Sequence, residues 1–153
     1  GIGAGPRSVM DAGPGAEPTH NSSTFGGNPL ACAAGLAAIR ALEREELVEN
    51  AAKVGAHLID GLTKRLEKRQ SVAEVRGLGL AIGIELVSDP ISRSPAGGEF
   101  VRDVLLGLLR RGVVISSTSH VVRITPPLCL TFSQADFITE AVNSTLLELE
   151  RSS

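Results

Sequence analysis

The sequence predicts an α/β chain whose bulk is an α+β domain, a small and mostly antiparallel sheet with helices on one face. Three observations carry this. Apolar residues recur at helical spacing in four stretches, around Leu30, Leu47, Phe100 and Ile138. Two pairs of β-rich runs lie between them, each pair joined by a short turn. After the first helix the order reads α-β-β-α-β-β-α, which places helices against a sheet.

The elements follow in order. Gly1 to Asn21 holds five Gly and three Pro with no regular period, and reads as loop. Asn28 offers an N-cap oxygen, and Pro29 occupies the first helical position, where its missing N–H costs nothing. Leu30, Ala33, Ala34, Ala37, Ala38, Ala41 and Leu42 form a stripe so rich in Ala that whatever packs on it must come close. From about Glu46 to Lys68, Leu47, Ala51, Val54, Leu58, Leu62 and Leu66 define the clearest amphipathic helix, with Lys53, His57, Asp60 and Lys64 opposite.

Val72 to Arg76 reads as a strand, Gly77-Leu78-Gly79 as a turn or bulge, and Leu80 to Val87 as a second strand. Ser88 to Gly98 is a Pro/Ser/Gly loop. Glu99 to Arg111 is helical and stops at Gly112. Val113 to Ser117 and Val121 to Thr125 are strands across a short polar turn, and Pro126-Pro127 ends the second. Ser133 with Asp136 resembles a helix start, and Ile138, Ala141, Val142, Leu146 and Leu149 complete a last amphipathic helix.

At 153 residues the length suits one domain that buries roughly 70% of its unfolded surface. With four Phe and no Trp or Tyr, its core must come from Leu, Val, Ile and Ala. A net charge of -2 makes no electrostatic footprint for nucleic acid. No apolar run is long enough to span a membrane, no leader opens the chain, and the cytoplasm is the expected compartment. Cys32 and Cys129 are expected as free, buried thiols. His20, His57 and His120 share no ligand spacing, so no metal site is expected. Gly77-Leu-Gly-Leu-Ala-Ile-Gly83 is followed by strand rather than helix, which excludes a dinucleotide fingerprint.

Chemistry concentrates in three segments. Ser23-Thr24-Phe25-Gly26-Gly27-Asn28-Pro29 sets hydroxyls and backbone donors beside a helix N-terminus, where an anion is favoured. Val75-Arg76-Gly77-Leu78-Gly79-Leu80 leads into Ile84-Glu85-Leu86. Val122-Arg123-Ile124-Thr125-Pro126-Pro127-Leu128 places an arginine at a strand end before a rigid Pro-Pro step. Each has a plainer structural reading: a capped helix start, a strand-turn arginine, a surface arginine paired with a nearby acid.

Taken together, in this order and at spacings of about 50 and 45 residues, these segments resemble the class III aminotransferases, fold-type I pyridoxal-phosphate enzymes. The resemblance runs from Thr19 to the C-terminus, and Val9-Met10-Asp11-Ala12 also fits. It implies that residues 1–27 end the large domain's cofactor loop, 28–46 form an interdomain helix and 47–153 form the C-terminal small domain. It further implies that Thr24, with Ser23 as a weaker candidate, contacts the phosphate of pyridoxal 5'-phosphate across a homodimer interface, and that Arg123 binds the α-carboxylate of the amino or 2-oxo acid. Arg76 takes a structural part in the same reading.

One element of the family's chemistry is absent. Transamination needs a lysine for the Schiff base and the proton shift, and the only lysines are Lys53, Lys64 and Lys68, on the polar side of the second helix or at its end. By the resemblance, the Schiff-base lysine falls immediately before Gly1. The expected function is therefore the C-terminal part of an aminotransferase moving an amino group from an amino acid, ω-amino acids such as 4-aminobutyrate or acetylornithine included, to a 2-oxo acid, inactive alone. The alternatives are a non-catalytic small-molecule-binding or oligomerisation module of the same fold, and a helix-rich scaffold without ligand.

Overall fold

The structure, a computed structural model, describes Pro6, Ser8 and residues 25–152. Contacts cluster into two compact units, Gly1–Ala41 and Leu42–Ser153, where length alone predicts one domain.

Helix α1, Pro29–Arg44, begins as its sequence dictates. Asn28 Oδ1 accepts the Ala31 N–H at 2.9 Å, and the Asn28 amide donates back to the Phe25 carbonyl at 2.7 Å. The cap thus satisfies an orphan donor of the first turn.

The second unit holds the sheet. Helix α2, Leu47–Leu66, is followed by strands β1, Val72–Leu78, and β2, Ala81–Asp89, then a two-residue strand β3, Ser94–Pro95. Helix α3, Gly98–Arg110, strands β4, Ser116–Thr118, and β5, Val121–Ile124, and helix α4, Phe132–Ser152, complete the chain. The main sheet runs β1-β2-β5-β4 and every pairing in it is antiparallel, with β3 beside β2.

Alternation decides which sheet face is covered. Ile82, Ile84 and Leu86 of β2 and Val122 and Ile124 of β5 are buried, and join Val54, Leu58, Leu62, Val104, Leu108, Ala141, Val142 and Leu146 from the helices in one core. Residues between them, such as Gly83, Glu85 and Arg123, face the other side, because strand side chains alternate. The aliphatic core and single-faced helix layer match expectation.

Some boundaries differ. β1 runs on through Leu78, and the β1–β2 turn is only Gly79-Leu80, with Gly79 at φ 55° taking the positive-φ position a tight hairpin needs. Gly55 of α2 lies against this turn so closely that a Cβ there would sit 2.2 Å from the Gly79 carbonyl. The fourth strand is displaced to Ser116–Thr118, leaving Val113 buried and Val114 exposed ahead of it.

The last helix is capped by Thr131, not by Ser133. The Thr131 hydroxyl accepts the Gln134 N–H at 3.3 Å and Gln134 Oε1 accepts the Thr131 N–H at 3.0 Å, a capping box two residues earlier than expected. Both cysteines are free but exposed, not buried. Cys129 sits in the turn that follows Pro126-Pro127, and no residue of α1, which carries Cys32, is buried.

Candidate functional site

Of the three segments singled out, two meet on the sheet face away from the helices. Register places Arg76 of β1 opposite Gly83 of β2, Gly83 opposite Arg123 of β5, and Arg123 opposite Ser116 of β4. These four residues form one row across the open face. Neighbouring strands lie about 4.8 Å apart, so the two arginine α-carbons are on the order of 10 Å from one another. Gly83 leaves the floor between them low; a Cβ there would already be 3.3 Å from Val121 Cγ1.

The two arginines differ in company. Arg76 Nη1 donates to Glu85 Oε2 at 2.7 Å and to Glu74 Oε2 at 3.3 Å, while Arg93 stands 3.9 Å from Glu74 and His120 4.0 Å from Glu85. Its charge is locally neutralised. Arg123 pairs with no carboxylate among the described residues. Its Nη2 donates to the neutral Ser116 hydroxyl at 3.2 Å.

The backbone holding Arg123 is well fixed. β5 is central in the sheet, flanked by β2 and β4. Beyond it, Pro126-Pro127 sets two φ angles, the Leu130 N–H closes a turn on the Pro127 carbonyl at 3.0 Å, and Asn50 of α2 donates its amide to the carbonyls of Leu128 and Leu130 at 2.7 and 3.0 Å. An exposed guanidinium on anchored backbone, its positive charge uncompensated among the described residues, suits a carboxylate, which it can grip with two parallel N–H donors.

An open groove of about 1070 Å³ lies elsewhere in this unit, between Val48 and Ala52 of α2 and Leu78, Leu80, Pro126 and Leu128. Its walls are apolar and its one charged group is Asp60, so it is no competitor for an anion.

Ser23 and Thr24 lie outside the described residues. The three lysines do not fit a cofactor: Lys53, Lys64 and Lys68 are exposed, and Lys64 is paired with Asp60 at 2.6 Å. The described residues do not by themselves form a pyridoxal-phosphate site. Ser116 as the partner of Arg123 depends on the β4–β5 register and the Glu74–Arg76–Glu85 network on the β1–β2 register, neither of which was visible in the sequence.

A family model described as aminotransferase class-III matches residues 4–146. The chain belongs to the class III aminotransferases. It is 44% identical over 133 residues to acetylornithine aminotransferase 1 of Bordetella pertussis, covering 85% of this chain and 31% of that protein. It is 42% identical over 130 residues to alanine–glyoxylate aminotransferase 2 homolog 2, mitochondrial, of Arabidopsis thaliana, covering 83% and 27%. Among solved structures, an amine transaminase from an uncultivated Pseudomonas species in the PLP-bound internal aldimine form superposes with a TM-score of 0.80 at 33% identity, over 92% of this chain and 32% of that one. The chain spans between a quarter and a third of the length of these relatives. The fold is that of a class III transaminase segment, and pyridoxal 5'-phosphate is the cofactor the family implies. No described helix is long and apolar enough to cross a membrane.

Proposed function

We propose that this chain is the C-terminal part of a pyridoxal-phosphate-dependent aminotransferase, and that Arg123 receives the α-carboxylate of its amino and 2-oxo acids. The observation that carries the reading is the contrast on the open face: Arg76 is neutralised by Glu85 and Glu74, whereas among the described residues Arg123 is held by Ser116 alone. A carboxylate arriving on this face meets one uncompensated guanidinium, on anchored backbone.

In the complete enzyme, residues 1–27 would end the large domain's cofactor loop, 28–46 would link the domains and 47–153 would form the small domain. Ser23 and Thr24 would reach the cofactor phosphate across a homodimer interface. The amino donor would be an amino acid, with an ω-amino acid such as 4-aminobutyrate favoured by the Val75–Leu80 and Pro126–Leu128 segments, and the compartment would be the cytoplasm. With its three lysines exposed on or beside α2, the chain alone would not transaminate.

Incubating the purified chain with pyridoxal phosphate, 4-aminobutyrate and 2-oxoglutarate should give no oxo-acid product above background, while 2-oxoglutarate binds wild type and not Arg123→Ala. Turnover by the chain, or binding indifferent to Arg123→Ala, overturns the reading. The exposed lysines equally favour a non-catalytic binding module of the same fold. A coding sequence that continues upstream through a Lys-Gly step distinguishes the enzyme part from the module.

A further inference from the structure

We infer that Ser116 is a positioning residue for Arg123: its hydroxyl aims the guanidinium across the sheet face without neutralising it. The inference rests on the carboxylate reading of Arg123 and adds to it the group that sets the fork's direction.

Three features support it. Ser116 and Arg123 are direct partners in the β4–β5 ladder, so their side chains rise from the same face side by side. Arg123 Nη2 donates to Ser116 Oγ at 3.2 Å, and no other described group holds its side chain. An exposed arginine otherwise loses substantial rotamer freedom on binding, and a contact already made in the free state reduces that loss.

The acceptor's neutrality is as important as its position. A carboxylate at this place would orient the guanidinium equally well but would also pair with its charge, which is the condition of Arg76 beside Glu85. A hydroxyl engages one N–H and leaves both the charge and the remaining donors for a ligand. Position 116 therefore has to be polar, short and uncharged.

The test uses the purified 153-residue chain, 2-oxoglutarate as probe, and Ser116→Ala, Ser116→Thr, Ser116→Asp and Arg123→Ala. Affinity comes from titration, and the rotation rate of the Arg123 Nη groups about the Nε–Cζ bond from NMR line shapes. Ser116→Ala should weaken binding about 3- to 10-fold, the worth of one hydrogen bond, and speed that rotation. Ser116→Thr, which keeps the hydroxyl, should stay within about twofold of wild type and retain slow rotation. Ser116→Asp should bind as poorly as Arg123→Ala.

Binding lost in Arg123→Ala but unchanged, with unchanged rotation, in Ser116→Ala overturns the positioning role and leaves the carboxylate reading standing. Binding that survives Arg123→Ala, or no saturable binding by wild type, overturns the reading beneath it and the positioning role with it.

Discussion

Arg76 and Arg123 flank Gly83 in a single row of the open sheet face, and among the described residues only Arg76 of the two has carboxylates in contact, Glu85 at 2.7 Å and Glu74 at 3.3 Å. Two like cations on one face thus have opposite electrostatic standing. Arg123→Ala is expected to weaken 2-oxo acid binding about tenfold or more, the worth of charge-assisted hydrogen bonds, and Arg76→Ala less than about twofold. Parallel titrations of the two variants decide it.

Glu85→Gln should alter that balance. It removes the nearer partner of Arg76, and the Glu74 contact is longer. We expect Arg76 to become a second carboxylate acceptor, visible as a rise from one bound dicarboxylate towards two, or as a 2-oxoglutarate-dependent shift of the Arg76 side-chain signal that wild type lacks.

Gly55→Ala should be among the most damaging single-methyl changes in the chain. The new Cβ would fall 2.2 Å from the Gly79 carbonyl, which is backbone in a tight turn and cannot move aside as a side chain could. A loss of about 3 kcal/mol or more is expected, at or beyond the upper end for overpacking. Gly35→Ala, whose Cβ meets nothing within 4 Å, should be neutral or stabilising by up to about 1 kcal/mol through helix propensity. Urea denaturation followed by circular dichroism measures both.

Asp89 should leave an acid signature on the β2–β3 loop. Its carboxylate accepts the Ser92 hydroxyl, and then the backbone N–H groups of Ile91 and Ser92, which together hold its pKa below the usual 3.8. Because the folded value lies below the unfolded one, the stabilisation is complete above the ordinary carboxylate range and is lost as pH falls through the depressed folded value. Thermal melts across this acid range should show a steeper fall for wild type than for Asp89→Asn, with the gap closing at low pH.

Much of the fold was legible because its signals are local. The stripe from Leu47 to Leu66 specifies α2 almost to the residue, Asn28-Pro29 specifies the start of α1, and the alternating apolar residues from Ile82 to Leu86 specify which face of β2 is buried. What was not legible depends on partners distant in sequence or on competing local choices. Val113 and Val114 have strand propensity, yet Val113 is committed to the core and pairing begins only at Ser116. Thr131 and Ser133 both offer a cap hydroxyl, and reciprocity with Gln134 selects Thr131.

The site divides in the same way. Arg123 is singled out by the family resemblance, with its strand-end place before Pro126-Pro127 beside it, but its hydroxyl partner depends on the β4–β5 register, and the neutralisation of Arg76 depends on the β1–β2 register. Ser23 and Thr24 lie outside the described residues. Asn50, which ties the Leu128–Leu130 segment to α2, carries no sequence signal beyond an ordinary polar helix position.

A residue-resolved NMR titration of the arginine Nε–Hε signals with 2-oxoglutarate separates the two arginines of the open face. A saturable shift at Arg123, with Arg76 unmoved, is the predicted result. A shift at Arg76 instead of Arg123, equal shifts at both, or no saturable shift at either would contradict it.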